Sequence, residues 1–216
     1  MIKFIKWFLL GVLILLIVLS ALVIWLGHRE YKAVTAQLPL EQAIADIRAK
    51  EHYTSYDDLP ETYVKAVVAV EDKRFYKHGG IDPIGIARAI YVNIRDRDLH
   101  EGGSTITQQL AKNIYFMENR NLIRKIAEAF VTLDLEKNYT KNEILEIYAN
   151  SIYFGHGYYC IYDAAMGYFE VEPADMDEYQ CTMLAGVPNA PSVYDPTKNP
   201  DLAEQRRQIV LRRMED

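Results

Sequence analysis

The stretch AVVAVEDKRFYKHGG places a carboxylate on what should be the buried side of a helix. Val64 and Val67 follow helical spacing, and Glu71 is a later position on the same stripe. Burial disfavours the charged form of a carboxylate, so an acid in this situation suits proton transfer in general acid–base catalysis. A structural acid, ion-paired with Lys73 or Arg74, is the alternative. The residue types alone do not decide between these two interpretations.

A second group of polar side chains lies in GGSTITQQLAKN, a Gly-Gly turn followed by a helix with Ser or Thr as its cap. Thr105, Gln109 and Lys112 are about one turn apart on one face, and Asn113 is adjacent. Free amides and hydroxyls at a helix N-terminus suit an anionic group. An ordinary capped helix with a solvated face fits equally well. The pattern GxxxxGK[ST] is absent, which excludes a nucleotide P-loop.

A third group is formed by Arg124, Lys125 and Glu128. Arg124 and Glu128 are four residues apart and can form an ion pair, which contributes only about 0.3–0.5 kcal/mol if it is exposed. The same stripe continues to Val131 and Leu135, so part of this face must pack. A buried acid there is costly unless it has a partner or a purpose.

The N-terminal segment predicts a membrane anchor. Residues 7–26 contain no charge and form a helix about 30 Å long, enough to cross a bilayer. Trp7 and Trp25 stand at the two ends, where indole rings prefer the membrane–water interface. A cleaved signal peptide would have a shorter apolar core and a small-residue cleavage site, so we expect the anchor to be retained.

The remaining organisation follows from helical periods and composition. We expect an anchor over residues 1–27, a linker over 28–55 and one all-α domain over 56–216, since no alternating segment of strand length is present. The formal charge of −6 gives no reason to expect nucleic acid as a partner. The spacing of Cys160 and Cys181 matches no metal site, and we expect two buried thiols, with a disulfide between them as the alternative.

Five segments occur in order over residues 57–214: EDKRFYKHGGID, GGSTITQQLAKN, RKIAEAF, KNEILEIYAN with YFGHG, and RRQIVLRRM. They resemble the five motifs of the peptidoglycan glycosyltransferases, glycosyltransferase family 51. The resemblance implies a lysozyme-like, mostly helical fold with a small membrane-facing lobe. It also implies polymerisation of lipid II into β-1,4-linked glycan strands with inversion of configuration and release of undecaprenyl diphosphate.

The resemblance also implies roles for individual residues. Glu71 matches the general base, and Glu128 matches a second acid that acts at the donor diphosphate directly or through a divalent ion. Lys112, Arg124 and Lys125 match cations that steady the diphosphate. The full set of substrate-binding positions implied by the motifs is Asp72, Phe75, His78, Thr105, Gln109, Lys112, Asn113, Arg124 and Lys125.

The resemblance also sets expectations about cofactors, partners and cellular location. No cofactor is obligatory, although a Mg or Mn ion is compatible with the chemistry. The expected partners are lipid II, the growing glycan strand, the membrane and other cell-wall synthesis proteins. The expected location is the bacterial cell membrane, with one span and the catalytic domain outside the cytoplasm; the short N-terminal tail favours this orientation, although the flanking charges are nearly balanced. A mobile loop is expected within NIRDRDLHEGG.

Two departures and two alternatives accompany this prediction. Ala127 precedes the second acid where many relatives have a polar residue, and no SxxK motif of a penicillin-binding transpeptidase is present. We therefore expect a monofunctional enzyme or the glycosyltransferase part of a longer protein. The alternatives are a lysozyme-like glycan-cleaving enzyme and a non-enzymatic, membrane-anchored cell-wall scaffold.

Overall fold

A computed structural model describes residues 2–96, 102–116 and 121–215. These residues form ten α-helices and no strand, which confirms the predicted all-α fold. The helices are α1 (Ile2–Gln37), α2 (Leu40–Arg48), α3 (Glu61–Glu71), α4 (Pro83–Asp96), α5 (Ile106–Tyr115), α6 (Leu122–Asn138), α7 (Lys141–Ala149), α8 (Ile161–Phe169), α9 (Glu178–Gly186) and α10 (Pro200–Glu215).

Helix α1 contains the predicted anchor. Within it, Phe4–Gln37 is long and apolar enough to cross a membrane, and its most apolar window is not covered by protein. The helix continues without a break past residue 27, and its C-terminal part packs on α6. In the predicted linker, Leu40 and Ile44 of α2 are buried in the core. The boundaries at residues 27 and 55 stay predictions.

The core lies between two groups of helices. Helices α3, α9 and α10 pack against one another, and α5 packs against α6 and α7. The largest fully buried side chains are Tyr63, Tyr148, Phe75, Phe154, Ile44, Ile106, Leu110, Leu135, Ile144, Leu145, Ile147 and Ile161. Burying one large apolar side chain contributes about 1.5–3 kcal/mol. The core therefore holds α3, α5, α6 and α10 in fixed relative positions.

The helix starts follow local capping chemistry. Thr105 Oγ1 accepts a hydrogen bond from the amide of Gln108, and the side-chain oxygen of Gln108 accepts one from the Thr105 amide. Asn121 caps α6 through the amide of Arg124 at 2.7 Å. Such caps stabilise a helix by about 1 kcal/mol. The start of α5 agrees with the sequence prediction because a cap depends only on residues within one turn.

Helix α3 ends earlier than its apolar stripe suggests. Glu71 is its last residue, and Asp72 leaves the helical conformation with φ −157° and ψ 74°. The Asp72 carboxylate accepts a hydrogen bond from the Ile106 amide at the start of α5, at 3.1 Å. The side chain that follows Glu71 thus ties the end of α3 to the start of α5, and the helix cannot continue.

Candidate active site

A cavity of about 1220 Å³ opens between the end of α3 and helices α4, α5, α6 and α10. Its lining is strongly cationic although the whole chain is acidic: among the described residues that line it, the acids are Glu71 and Glu128, and the bases are Lys73, Arg88, Arg95, Lys112, Arg124, Lys125, Arg206 and Arg213. A cleft lined by one sign of charge concentrates ligands of the opposite sign. This cavity is therefore suited to a ligand with several negative charges.

Glu71 stands at one wall of the cavity with 8% of its side chain exposed. Gln109 Nε2 of α5 donates a hydrogen bond to Glu71 Oε2 at 2.7 Å, and an Arg206 guanidinium nitrogen of α10 donates to Oε1 at 3.3 Å. The neighbour considered from the sequence, Arg74, pairs instead with Asp82 at 3.0 Å. Two different helices thus hold the Glu71 carboxylate at the cavity surface.

Tyr148 of α7 lies behind Gln109. It is fully buried, and its hydroxyl donates a hydrogen bond to Gln109 Oε1 at 3.4 Å. Burial, with a smaller contribution from the nearby Glu71 carboxylate, raises the pKa of Tyr148 well above its usual value, so the hydroxyl keeps its proton. Because the carbonyl end of the amide faces Tyr148, the NH₂ end must face Glu71.

Glu128, which also lines the cavity, holds two cations. Its side chain is 1% exposed. One carboxylate oxygen accepts from Arg124 at 2.6 Å, and the other accepts from the Lys125 ammonium, which also donates to Ser104 Oγ at 3.0 Å. Both oxygens of the buried acid are therefore occupied by cations that themselves face the cavity.

Lys112 differs from these paired cations. It is exposed on α5, one turn from Gln109, and it lines the same cavity. Among the described residues, no hydrogen bond or ion pair of its ammonium group is found. An unpaired lysine in a cationic cavity is available to an anionic ligand.

Five of the predicted substrate-binding residues lie outside the cavity lining: Asp72, Phe75, His78, Thr105 and Asn113. Phe75 is fully buried, and the amide nitrogen of the Asn113 side chain is buried without a partner among the described residues. Thr105 caps α5 and donates to the carbonyl of Gly80 at 2.5 Å. Their contact with substrate stays a prediction, and the structure places them as supports of the cavity walls.

Asp72 and His78 form one such support. His78 Nδ1 accepts a hydrogen bond from the Gly80 amide, so Nε2 carries the proton and donates to Asp72 at 2.9 Å. Burial raises the pKa of Asp72, and the hydrogen bond from His78 opposes that rise. The pair links the residue after Glu71 to the turn that precedes α4.

The described residues do not offer a free carboxylate for a divalent cation in this cavity. Mg²⁺ is usually held by one or two carboxylates together with substrate phosphates. Both oxygens of Glu128 already bind cations, and Glu71 accepts from Gln109 and Arg206. A second grouping, Asp72, His78 and Asp82, has its ligand atoms within 4.8 Å of one another but is engaged internally and with Arg74. The described residues of the cavity therefore do not form a site for a divalent cation.

The sequence alone does not point to Arg206 or Tyr148 as site residues. Arg206 belongs to the motif RRQIVLRRM, to whose members the resemblance assigns no individual role. Tyr148 lies on the apolar stripe of α7 and reads as a core residue. The predicted mobile loop falls in part on residues 97–101, which lie outside the described residues.

Comparison with known proteins places most of the chain in one family. The family described as Transglycosylase matches residues 40–215. The chain is 39% identical to penicillin-binding protein 1F of Bacillus subtilis over 203 residues, which is 90% of this chain and 28% of that protein. It is 46% identical to penicillin-binding protein 1A/1B of the same organism over 170 residues, covering 78% of this chain and 19% of that protein.

A shorter relative is covered more completely. The chain is 43% identical to a provisionally named transglycosylase of Cupriavidus necator over 182 residues, which is 84% of this chain and 78% of that protein. By contrast, the chain spans less than a third of the length of the two penicillin-binding proteins.

Proposed function

Because the chain belongs to the transglycosylase family, we propose that it is a peptidoglycan glycosyltransferase that polymerises lipid II. The observation that carries this proposal is the pairing of one reactive carboxylate, Glu71, with a cluster of cations across one cavity. A lipid-linked sugar diphosphate needs both features: a base for the acceptor hydroxyl and cations for the leaving group.

In the proposed reaction, Glu71 takes the proton from the 4-hydroxyl of the acceptor sugar. The hydroxyl oxygen forms a bond to C1 of the donor sugar from the face opposite the diphosphate, and the C1–O bond to the diphosphate breaks. Configuration at C1 therefore inverts. Gln109 and Arg206 orient the Glu71 carboxylate toward the cavity, since each donates to one of its oxygens.

The leaving diphosphate gains negative charge as the bond to C1 breaks. Arg124 and Lys125 are placed to stabilise that charge because Glu128 holds both in the cavity wall. Lys112 adds an unpaired ammonium group. A glycan-cleaving enzyme acts on a polymer without diphosphate, so this cation set favours the polymerase.

We place the protein in the bacterial cell membrane, with one span and the catalytic domain outside the cytoplasm. Helix α1 supplies the span. Helix α4 beside the cavity exposes four large apolar side chains: Ile84, Ile90, Tyr91 and Ile94. An exposed apolar patch of this kind is typical of a surface that contacts a membrane or a partner. Lipid II and the growing strand would enter the cavity from this side.

The direct test is incubation of the detergent-solubilised protein with labelled lipid II, followed by separation of products by glycan length. Long chains support polymerisation. Shortening of a supplied glycan would identify the cleaving enzyme instead. A folded protein that binds lipid II and forms no chains would be the non-enzymatic scaffold.

Replacing Lys112 with alanine is expected to raise KM for lipid II about tenfold while the melting temperature changes little. The ammonium group has no partner among the described residues, so its loss removes only substrate binding, and a hydrogen bond to a charged group contributes about 1.5–3 kcal/mol. Lys137→Ala, an exposed lysine of α6, is the control. A large fall in melting temperature for Lys112→Ala would make the residue structural.

Replacing Tyr148 with phenylalanine is expected to lower kcat about three- to tenfold, because Gln109 loses the hydrogen bond that fixes its amide orientation. Tyr63→Phe is the matched control, since the Tyr63 hydroxyl is equally buried and has no partner among the described residues. Steady-state kinetics of both variants would check this. Equal activity of Tyr148→Phe and the parent would contradict the orienting role.

A further inference from the structure

The anchor helix approaches α6 closely at Gly27. A Cβ atom at this position would lie 2.4 Å from Cγ2 of Ile126 and 3.1 Å from the carbonyl oxygen of Ile123. Both distances are shorter than ordinary van der Waals contact, and the second involves backbone. Only glycine allows the two helices to come this close. The other glycine of α1, Gly11, has nothing within 4 Å of its Cβ position.

Further contacts continue along the same two helices. The His28 ring meets the Phe130 ring edge-on, with centroids 5.1 Å apart, and the Tyr31 ring lies 5.6 Å from the same ring. The Tyr31 hydroxyl donates to Asp134 at 2.5 Å. Residue numbers rise together on α1 and α6, so the two helices run parallel. As α1 leaves the membrane, α6 therefore also runs away from it.

This direction places the N-terminal end of α6 toward the membrane. Trp25 marks the interface end of the apolar segment, and the Arg29 guanidinium lies 5.7 Å from its ring. Gly27 is two residues further, about 3 Å along the helix axis. Its contacts, Ile123 and Ile126, flank Arg124 and Lys125 in sequence. The cations of α6 consequently lie at the level of the membrane interface, where a lipid-linked diphosphate is located.

We propose that Gly27 is a positioning residue. Its lack of a side chain allows α1 to pack closely on α6, a contact called here the seating of α1. This seating fixes the position of Arg124 and Lys125 along the membrane normal, level with the diphosphate of a lipid-linked substrate. This inference rests on the proposed function for its substrate, whereas the seating itself rests on the contacts of Gly27. A side chain larger than hydrogen at residue 27 forces α6 away from α1 and shifts the cations relative to the bilayer.

The test compares Gly27→Leu with Gly11→Leu in the full chain. Undecaprenyl lipid II in phosphatidylethanolamine–phosphatidylglycerol vesicles is one substrate, and a water-soluble lipid II with a short prenyl chain is the other. We expect Gly27→Leu to lose about tenfold or more of its rate on the vesicle substrate, because small misplacements are costly. Its rate on the soluble substrate should stay within about twofold. Gly11→Leu, whose new side chain faces lipid, should match the parent on both.

A second measurement reports directly the depth of the N-terminal end of α6 relative to the bilayer, and it does not depend on enzymatic activity. Leu122, the first residue of α6, is exposed and can be replaced by cysteine for a fluorescent label, while Cys160 and Cys181 are buried. Quenching by lipids that carry spin labels at different depths locates the probe. We expect its depth to change in Gly27→Leu and to stay the same in Gly11→Leu.

The outcomes separate this inference from the proposed function. Equal loss on both substrates, or no change in probe depth, would overturn the positioning role. If the parent forms no glycan from either substrate while the probe still shifts in Gly27→Leu, the proposed function fails and the seating role stands.

Discussion

Glu71→Gln is expected to lose nearly all polymerisation while the protein stays folded. Glutamine keeps the shape of the side chain and can still accept from Gln109, but it cannot take a proton from the acceptor hydroxyl. General acid–base catalysis contributes about 10²–10⁴-fold, and the loss should lie in that range. The weakened contact with Arg206 should lower stability by only about 1 kcal/mol.

Glu61→Gln provides the matched control for this variant. Glu61 lies on the same helix, in an exposed ion pair with Lys65, and should tolerate the change in both activity and melting temperature. Glycan length analysis and a thermal melt would be run on both variants. If Glu71→Gln kept more than about a tenth of the parent rate, the carboxylate would not be the general base.

Glu128→Gln is expected to lower kcat by about 10²-fold without raising KM. The amide can no longer neutralise Arg124 and Lys125, so the two cations repel each other and lose their placement against the diphosphate. The cavity becomes more positive, and binding of an anionic substrate should not weaken. Because Glu128 is buried and both oxygens are engaged, stability should also fall by about 1–3 kcal/mol.

Glu136→Gln separates the loss of stability from the loss of activity. Glu136 is a partly buried glutamate that accepts from Lys141 at 2.8 Å and from Thr107 at 2.5 Å, and it does not line the cavity. The Glu136→Gln variant should lose a comparable amount of stability and keep the polymerisation rate of the parent. A raised KM with unchanged kcat in Glu128→Gln would instead indicate that Glu128 contributes to substrate binding alone.

Local features of the site could be predicted from the sequence because they depend on residues within one or two helical turns. The Arg124–Glu128 pair follows from a spacing of four residues, and the Thr105 cap follows from residue type and position. The apolar stripe that carries Glu71 predicted that its side chain would be largely buried, as it is. Each of these depends on helix geometry alone.

Partners that are distant in sequence could not be predicted in this way. Arg206 lies 135 residues from Glu71 and reaches it only because α3 and α10 pack side by side. Tyr148 reads as a core residue, and its hydrogen bond to Gln109 exists only because α7 packs behind α5. The sequence offered Lys73 and Arg74 as candidate partners of Glu71 if it were a structural acid, whereas Arg74 forms an ion pair with Asp82.

By itself, the sequence determined the helical class, the candidate anchor, the family and the residue types needed for the chemistry, because helical period, capping and motif order are local properties of the chain. Only the tertiary structure decided which donors hold Glu71, that both oxygens of Glu128 bind cations, and that Gly27 seats the anchor on α6. Those features arise where helices from distant parts of the chain pack together, and helix packing depends on the shapes of both faces at once.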